Sequence, residues 1–265
     1  MLRLEQVSKY FNINTINQKT ALQGLDLHLE KGDFVTVIGS NGAGKSTLLN
    51  AVAGVYPVEG GSIMLEGREI NSLAEHQRAV FIGRVFQDPM RGTAPTMTVE
   101  ENLSMAMARG RRRGLHLGIA KADRKIFEER LELLDLGLEK RLTDKVGLLS
   151  GGQRQAITLL MATLTQPKLL LLDEHTAALD PKTGKKIVEL TEKIVSENHL
   201  TTIMVTHNME QALALGNRLI MLHEGRIILD LKENQKKKMT VAGLIHEFEE
   251  LRGEKFADDR VVLAN

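Results

Sequence analysis

Gly39-Ser40-Asn41-Gly42-Ala43-Gly44-Lys45-Ser46-Thr47 is the stretch that decides the fold. Two glycines stand five residues apart, and Lys and Ser follow the second, which is the spacing of a phosphate-binding P-loop. Before it runs Phe34-Val35-Thr36-Val37-Ile38, a β-branched, apolar segment that reads as a buried strand. After it, Leu48-Leu49-Asn50-Ala51-Val52-Ala53 reads as a helix. A strand, a glycine-rich turn and a helix are the context the motif needs. The glycines allow backbone N–H groups to turn inward around a phosphate chain. The helix start adds partial positive charge. Lys45 is expected to reach the β- and γ-phosphates, and Ser46 to bind Mg²⁺.

Further along, Lys168-Leu169-Leu170-Leu171-Leu172-Asp173-Glu174 reads as a parallel strand buried on both faces and ending in two carboxylates. Ligands of open α/β sheets bind beyond the carboxyl ends of the strands. Asp173 is therefore expected at Mg²⁺, and Glu174 as a base or water-positioning group. Thr201 to Thr206 reads as another buried strand, and His207 ends it at the same sheet edge. Ser150-Gly151-Gly152-Gln153 opens a helix with Ser150 as N-cap, a second anion-binding helix start over a hundred residues from the first. Asp180-Pro181 opens another helix, with Asp180 as N-cap and Pro181 in the first helical position.

The rest of the chain frames these motifs. Leu2, Leu4 and Val7 begin a strand, and Leu25-Asp26-Leu27-His28-Leu29 alternates as a half-buried antiparallel strand does. Ser62 to Leu65 and Val80 to Phe86 read as further strands. Thr98 and Glu101 form a capping box, and from there to about Leu164 the periodicity is helical. Ile220 to Ile228 reads as a hairpin around Glu224-Gly225. Lys236-Lys237-Lys238 is expected to be a solvated linker, and Thr240 to Leu251 a closing amphipathic helix. Met97, Met105 and Met107 are expected to pack. Arg109-Gly110-Arg111-Arg112-Arg113-Gly114 reads either as a phosphate-binding run or as a solvated helix end.

Composition narrows the class. The chain has 265 residues and a formal net charge of +1, so no global basic footprint points to nucleic acid. It has no cysteine, which excludes disulfides and thiolate metal sites. Met1-Leu2-Arg3-Leu4-Glu5 does not read as a signal peptide, and no apolar run approaches the ~20 residues that span a bilayer. Any membrane role is therefore expected to come through a partner. Aromatic residues make up 3% of the chain, so adjacent Tyr10 and Phe11 stand out. They read either as a platform under a nucleotide base or as core aromatics at a strand end.

The ordered set resembles the ATP-binding subunit of ABC transporters along nearly the whole chain. Gly39 to Thr47 matches Walker A, Gln87 the Q-loop glutamine, and Leu149-Ser150-Gly151-Gly152-Gln153 the LSGGQ signature. Leu169 to Asp173 matches Walker B and Glu174 the glutamate after it. Ala178-Leu179-Asp180 matches the D-loop and His207 the switch histidine. The resemblance implies an α/β P-loop NTPase: a RecA-like core with an antiparallel β sub-domain over about 1–89 and 161–235, and an inserted helical sub-domain over about 90–160. A C-terminal linker and helix follow over 236–265. It implies ATP and Mg²⁺, with Ser46, Gln87 and Asp173 at the metal. Gly39, Ser40, Asn41, Gly42, Ala43, Gly44, Lys45, Ser46 and Thr47 would hold the phosphates. Ser150, Gly151, Gly152, Gln153 and Asp180 would face the γ-phosphate of a second chain, in a head-to-tail homodimer. Lys45, Gln87, Glu174 and His207 would carry the chemistry, and Phe11 or Tyr10 would lie under adenine. The implied partners are an integral-membrane permease and a substrate-binding protein, at the cytoplasmic face of the membrane. The segments around Gly32 to Gly44 and Asp173 to Pro181 look most like ATPases of amino-acid importers of the tryptophan or tyrosine type. A soluble ABC ATPase of translation or DNA repair is the alternative. His175 departs from the family, where many members have Pro, and is expected to leave the chemistry alone.

Overall fold

The computed structural model describes residues 1–110 and 119–250. Among these residues, ten strands form two sheets. The smaller, antiparallel sheet has the order β2-β1-β4-β5, from β1 (Leu2–Phe11), β2 (Lys19–Leu29), β4 (Gly60–Leu65) and β5 (Arg68–Glu69). The larger has the order β10-β9-β3-β8-β7-β6. Its strands are β3 (Phe34–Gly39), β6 (Ile82–Val85), β7 (Leu169–Asp173), β8 (Thr201–Val205), β9 (Arg218–His223) and β10 (Arg226–Lys232). All neighbours in it are parallel except β9 and β10, the hairpin that turns at Glu224-Gly225.

The apolar run on β7 has a simple cause. Leu169 and Leu171 face one buried cluster, shared with Val35, Val37, Ile203 and the helix α1 (Lys45–Ala53). Leu170 and Leu172 face the opposite cluster, shared with α5 (Gly151–Thr163) and α6 (Pro181–Glu197). A strand covered on both sides has no solvent face on which to place a polar residue.

Helical structure fills most of the stretch between β6 and β7. It includes α3 (Val99–Met107), α4 (Lys121–Glu132) and α5, after the short α2 (Glu75–Arg78) that precedes β6. The Thr98–Glu101 capping box is formed, with Thr98 N–H donating to Glu101 Oε2 at 2.7 Å and Glu101 N–H to Thr98 Oγ1 at 3.2 Å. Two more helices, α7 (Met209–Ala214) and α8 (Glu233–Lys236), follow β8 and β10. A further helix covers residues 241–250. Among the described residues, no helix is long and apolar enough to cross a membrane.

Several expectations need correction. Lys236 is not a solvated linker residue: it is buried, and its ammonium donates to the carbonyls of Leu215 and Gly216 at the end of α7. A long aliphatic stem and three donors allow a lysine to serve as a helix C-cap from inside the core. The strand expected from Val80 begins at Ile82, because Val80 and Phe81 still belong to the turn after α2. Met105 is exposed rather than packed. Arg109 is half-buried beside a groove of about 210 Å³ that Arg84, Phe86 and Arg91 also line, so the basic run does not begin as a solvated helix end. Arg111 to Arg113 lie outside the described residues.

Candidate functional site

The carboxyl ends of β3, β7 and β8 share one edge of the parallel sheet, and the chemistry-bearing residues collect there. β3 runs into Ser40 to Gly44 and then into α1. Gly44 takes φ +103°, and a Cβ there would run into the Ala21 carbonyl, so only glycine fits this bend. Lys45 is buried at the start of α1. Its ammonium donates back to the carbonyls of Gly39 at 2.8 Å and Ser40 at 3.1 Å, so it spans the loop. The cavity beside it, about 230 Å³, is lined by Asn41, Gly42, Gly44, Lys45, Ser46 and Thr47 of the loop, and by Phe11, Lys19, Ala21 and Glu174.

Ser46 Oγ donates to Asp173 Oδ1 at 3.3 Å. Burial pushes the Asp173 carboxyl up, while the nearby Arg84 guanidinium and the Ser46 hydroxyl pull it back down. Arg84 Nη2 lies 3.6 Å from Asp173 Oδ2 and donates to Asn50 Oδ1 at 2.7 Å. A hydroxyl and a carboxylate oxygen beside a phosphate cradle fit a hard divalent cation that keeps most of its shell as water and phosphate oxygen. Among the described residues no group of three or more acidic or imidazole side chains is placed to hold a metal ion, as a protein-only metal cage would need.

Glu174 follows Asp173 with φ +43°, a left-handed conformation that costs a residue with a side chain on the order of 1–3 kcal/mol. Its N–H donates to the Val205 carbonyl at 3.0 Å, which ties the bend to β8. Its Oε2 is 3.4 Å from His207 Nδ1, just beyond β8. Glu174 thus forms a wall common to the loop cavity and to a second cleft of about 430 Å³, which His207, Asn208, Thr176 and Asp180 also line. Asp180 caps α6 by accepting from Thr183 N–H at 3.1 Å, and bonds from Thr183 hold its carboxyl below the usual range. His175, next to Glu174, is enclosed and bonds Thr191 at 2.9 Å; burial lowers its imidazole to about 4.

Tyr10 and Phe11 both extend β1, and only Phe11 lines the loop cavity. Its ring meets Tyr56 edge to face, with centroids 5.3 Å apart at 87°. The Lys9 ammonium sits 5.3 Å from the Phe11 centroid and is held by Glu59 at 2.6 Å. Tyr56, Lys19, Ala21 and Arg84 carried no signal in the sequence, since no motif includes them and only the fold brings them to this edge.

Two sequence-predicted groups stand apart from the loop cavity. Gln87 is exposed just past β6 and lines neither of the two clefts that Glu174 borders. Ser150, Gly151, Gly152 and Gln153 contribute nothing to the cavity lining. Ser150 Oγ accepts from Gln153 N–H, Gln153 Oε1 accepts from Ser150 N–H, both at 3.3 Å, and Arg141 donates to Gln153 at 3.1 Å. A Cβ on Gly152 would run into the Thr183 methyl, so the glycine lets α5 press against the first turn of α6. Ser150 and Gly151 remain exposed.

The ABC transporter family matches residues 22–177. This chain belongs to that family. It is an ATP-binding cassette, and its activity is ATP hydrolysis. It is 47% identical over 249 residues to a tyrosine transport ATP-binding protein of Clostridioides difficile (strain R20291), covering 94% of this chain and 99% of that one. It is 34% identical over 210 residues to the aliphatic sulfonates import ATP-binding protein SsuB 2 of Agrobacterium fabrum, covering 79% and 73%. Among solved structures, the dimeric post-hydrolysis state of the cassette MJ0796 bound to ADP and Pi superposes with a TM-score of 0.75 at 31% identity, covering 88% of this cassette and 99% of that chain. These relatives are transport and import ATP-binding proteins and an ATP-binding cassette, which sets aside the soluble ABC ATPase of translation or DNA repair.

Proposed function

We propose that the cassette drives import of an amino acid or similar small solute as a Mg²⁺-dependent, head-to-tail homodimer under a separate membrane permease. The near full-length similarity to a tyrosine transport protein supports the cargo class. A permease-bound subunit would work at the cytoplasmic face of the membrane, with a substrate-binding protein delivering the solute. In this reading residues 1–89 and 161–235 form the nucleotide-binding core, 90–160 the helical sub-domain, and 236–265 a C-terminal segment.

Residues of the site divide the work by position. Phe11 stacks on the base. Backbone N–H groups from Gly39 to Thr47 wrap the phosphates, and Lys45 turns from its loop carbonyls to the β- and γ-phosphates. Ser46, Asp173 and Gln87 would hold Mg²⁺, which supplies charge neutralisation on the transferred phosphoryl group. Glu174 polarises the attacking water, and His207, 3.4 Å from it, contacts the γ-phosphate. The chain contributes positioning and electrostatics rather than a covalent intermediate.

The observation that carries the two-chain reading is the placement of Ser150 to Gln153. They form an intact, capped helix start whose first residues, Ser150 and Gly151, are exposed, and they line no part of this chain's own loop cavity. A second chain's loop, approaching head to tail, would place its γ-phosphate there. Asp180, in the cleft beside Glu174, would meet the same interface. Glu174→Gln keeps side-chain shape and removes its charge, so Mg-ATP should accumulate as a trapped dimer. Adding Ser150→Arg should abolish that dimer while each chain still binds ATP. Size-exclusion chromatography with light scattering reads both. A monomeric Glu174→Gln in Mg-ATP with its permease present, or equal dimerisation of the double variant, refutes the arrangement. Reconstitution with the permease tests the cargo, since tyrosine or a related amino acid should stimulate turnover.

A further inference from the structure

His175 has no role in the steps above, yet it is 3% exposed and stands one residue beyond Glu174. Its Nε2 lies 2.9 Å from Thr191 Oγ1, and Thr191 is fully enclosed on α6. The Thr191 hydroxyl has a single proton, which it donates to the Ile187 carbonyl at 2.7 Å. Toward the imidazole it can only accept. The His175 Nε2 therefore carries a proton, and the ring donates it to Thr191.

This bond sits where the backbone is under strain. Glu174 holds φ +43°, and such a conformation persists in a residue with a side chain only where its surroundings over-determine it. One anchor precedes the bend's exit: Glu174 N–H donates to Val205 on β8. A local bond, Ala177 N–H to the Glu174 carbonyl at 2.9 Å, closes the turn but ties it to nothing else. The His175 side chain, passing inward from the turn to the middle of α6, is the second anchor to a separate element. α6 begins at Asp180, which lines the same cleft as Glu174 and His207.

We propose that His175 is a positioning residue: its Nε2–H bond to Thr191 fastens the Glu174 turn to α6 and holds the carboxylate in place between the phosphate loop and His207. The proposal rests on the reading of Glu174 as the group that polarises the attacking water. It departs from the expectation that His175 leaves the chemistry alone. A core histidine that merely fills space would lower stability when removed. A positioning residue lowers turnover of bound ATP and leaves ATP binding as it was, because the phosphate loop and Phe11 are untouched.

The test uses the full chain with His175→Ala, Thr191→Val, the pair combined, His175→Gln and Glu174→Gln. ATPase kcat and KM, ATP dissociation constants and melting temperatures are measured for each. A shift of the carboxylate on the order of 1 Å is expected to cost about tenfold to hundredfold in kcat. His175→Ala and Thr191→Val should each show that loss with unchanged ATP affinity. The double variant should be no worse than the worse single one, because both remove one bond. His175→Gln, whose amide N–H can reach Thr191, should recover most of the loss. Thr191→Val conserves volume, so it decides the matter if His175→Ala does not fold. Native kcat in Thr191→Val, multiplicative losses in the double variant, or kcat and ATP affinity falling together with melting temperature each overturn the proposal. Glu174→Gln separates the two levels. If it turns over normally, the reading of Glu174 is wrong; if it is inactive while Thr191→Val is native, only the positioning proposal falls.

Discussion

Replacing Phe11 with Ala should weaken ATP binding more than any other change at the base-binding end of the cavity. The ring is held before nucleotide arrives. Tyr56 meets it edge to face at 5.3 Å, and the Lys9 ammonium lies 5.3 Å from its centroid. Lys9 is fixed in turn by Glu59, which also accepts from Tyr10 N–H at 2.7 Å. A base stacked on such a platform gains ~1–3 kcal/mol. That corresponds to about 5- to 150-fold in the dissociation constant. Tyr56→Ala leaves the platform but loosens it; an edge-to-face pair is worth ~0.5–1.5 kcal/mol, so about two- to tenfold is expected. Tyr10→Ala should change little, because the contact Tyr10 makes with Glu59 uses backbone N–H, which alanine retains. The chain has no tryptophan, so binding is best followed by calorimetry or by displacement of a fluorescent ATP analogue. Excess EDTA keeps hydrolysis out of the measurement. If Tyr10→Ala weakens ATP more than Phe11→Ala, the platform is misassigned and the β1 end packs differently on nucleotide.

Lys45→Ala should abolish ATP turnover, since it removes the ammonium that spans the loop carbonyls of Gly39 and Ser40; near-native steady-state ATPase activity would take Lys45 out of the site. Arg78→Met should destabilise the protein by ~3–5 kcal/mol in denaturant titrations, because four carbonyls lose a buried donor; those of Ala51, Val52, Leu73 and Asn71 accept at 2.8, 2.9, 2.9 and 3.1 Å. A loss near zero would mean that water replaces the guanidinium. Lys236 is expected to make stability rise with pH in the alkaline range. Burial lowers its ammonium to about 8 from 10.5, so between those values the unfolded chain holds a proton that the folded chain has shed. Stability from this group is absent below about 8 and gained up to about 10.5, on the order of 3 kcal/mol. The native-minus-Lys236→Met difference in unfolding free energy isolates it; a difference flat across that range contradicts the burial of a charged group.

Local chemistry was legible in the sequence wherever a residue's role depends on its near neighbours. Gly39 to Thr47 could be read because a phosphate loop is made by consecutive backbone groups, and Gly44 has no substitute at φ +103°. Ser150, Thr98 and Asp180 could be read as caps because each bonds a residue three positions on. The β7 run announced a strand buried on both faces, and so the sheet edge where Asp173 and Glu174 stand. Tertiary structure alone decided what long-range packing brings together. Phe11 rather than Tyr10 reaches the cavity because of how β1 pairs with its neighbours and where Tyr56 arrives after α1. Arg84 meets Asp173 through the β6–β7 pairing, which joins segments over eighty residues apart. Lys236 looked like solvated charge because three lysines in a row usually are, and nothing nearby in the chain reveals the α7 carbonyls that it caps. The His175–Thr191 bond was hidden for the same reason: Thr191 lies sixteen residues on, across the turn that Glu174 opens in a left-handed conformation.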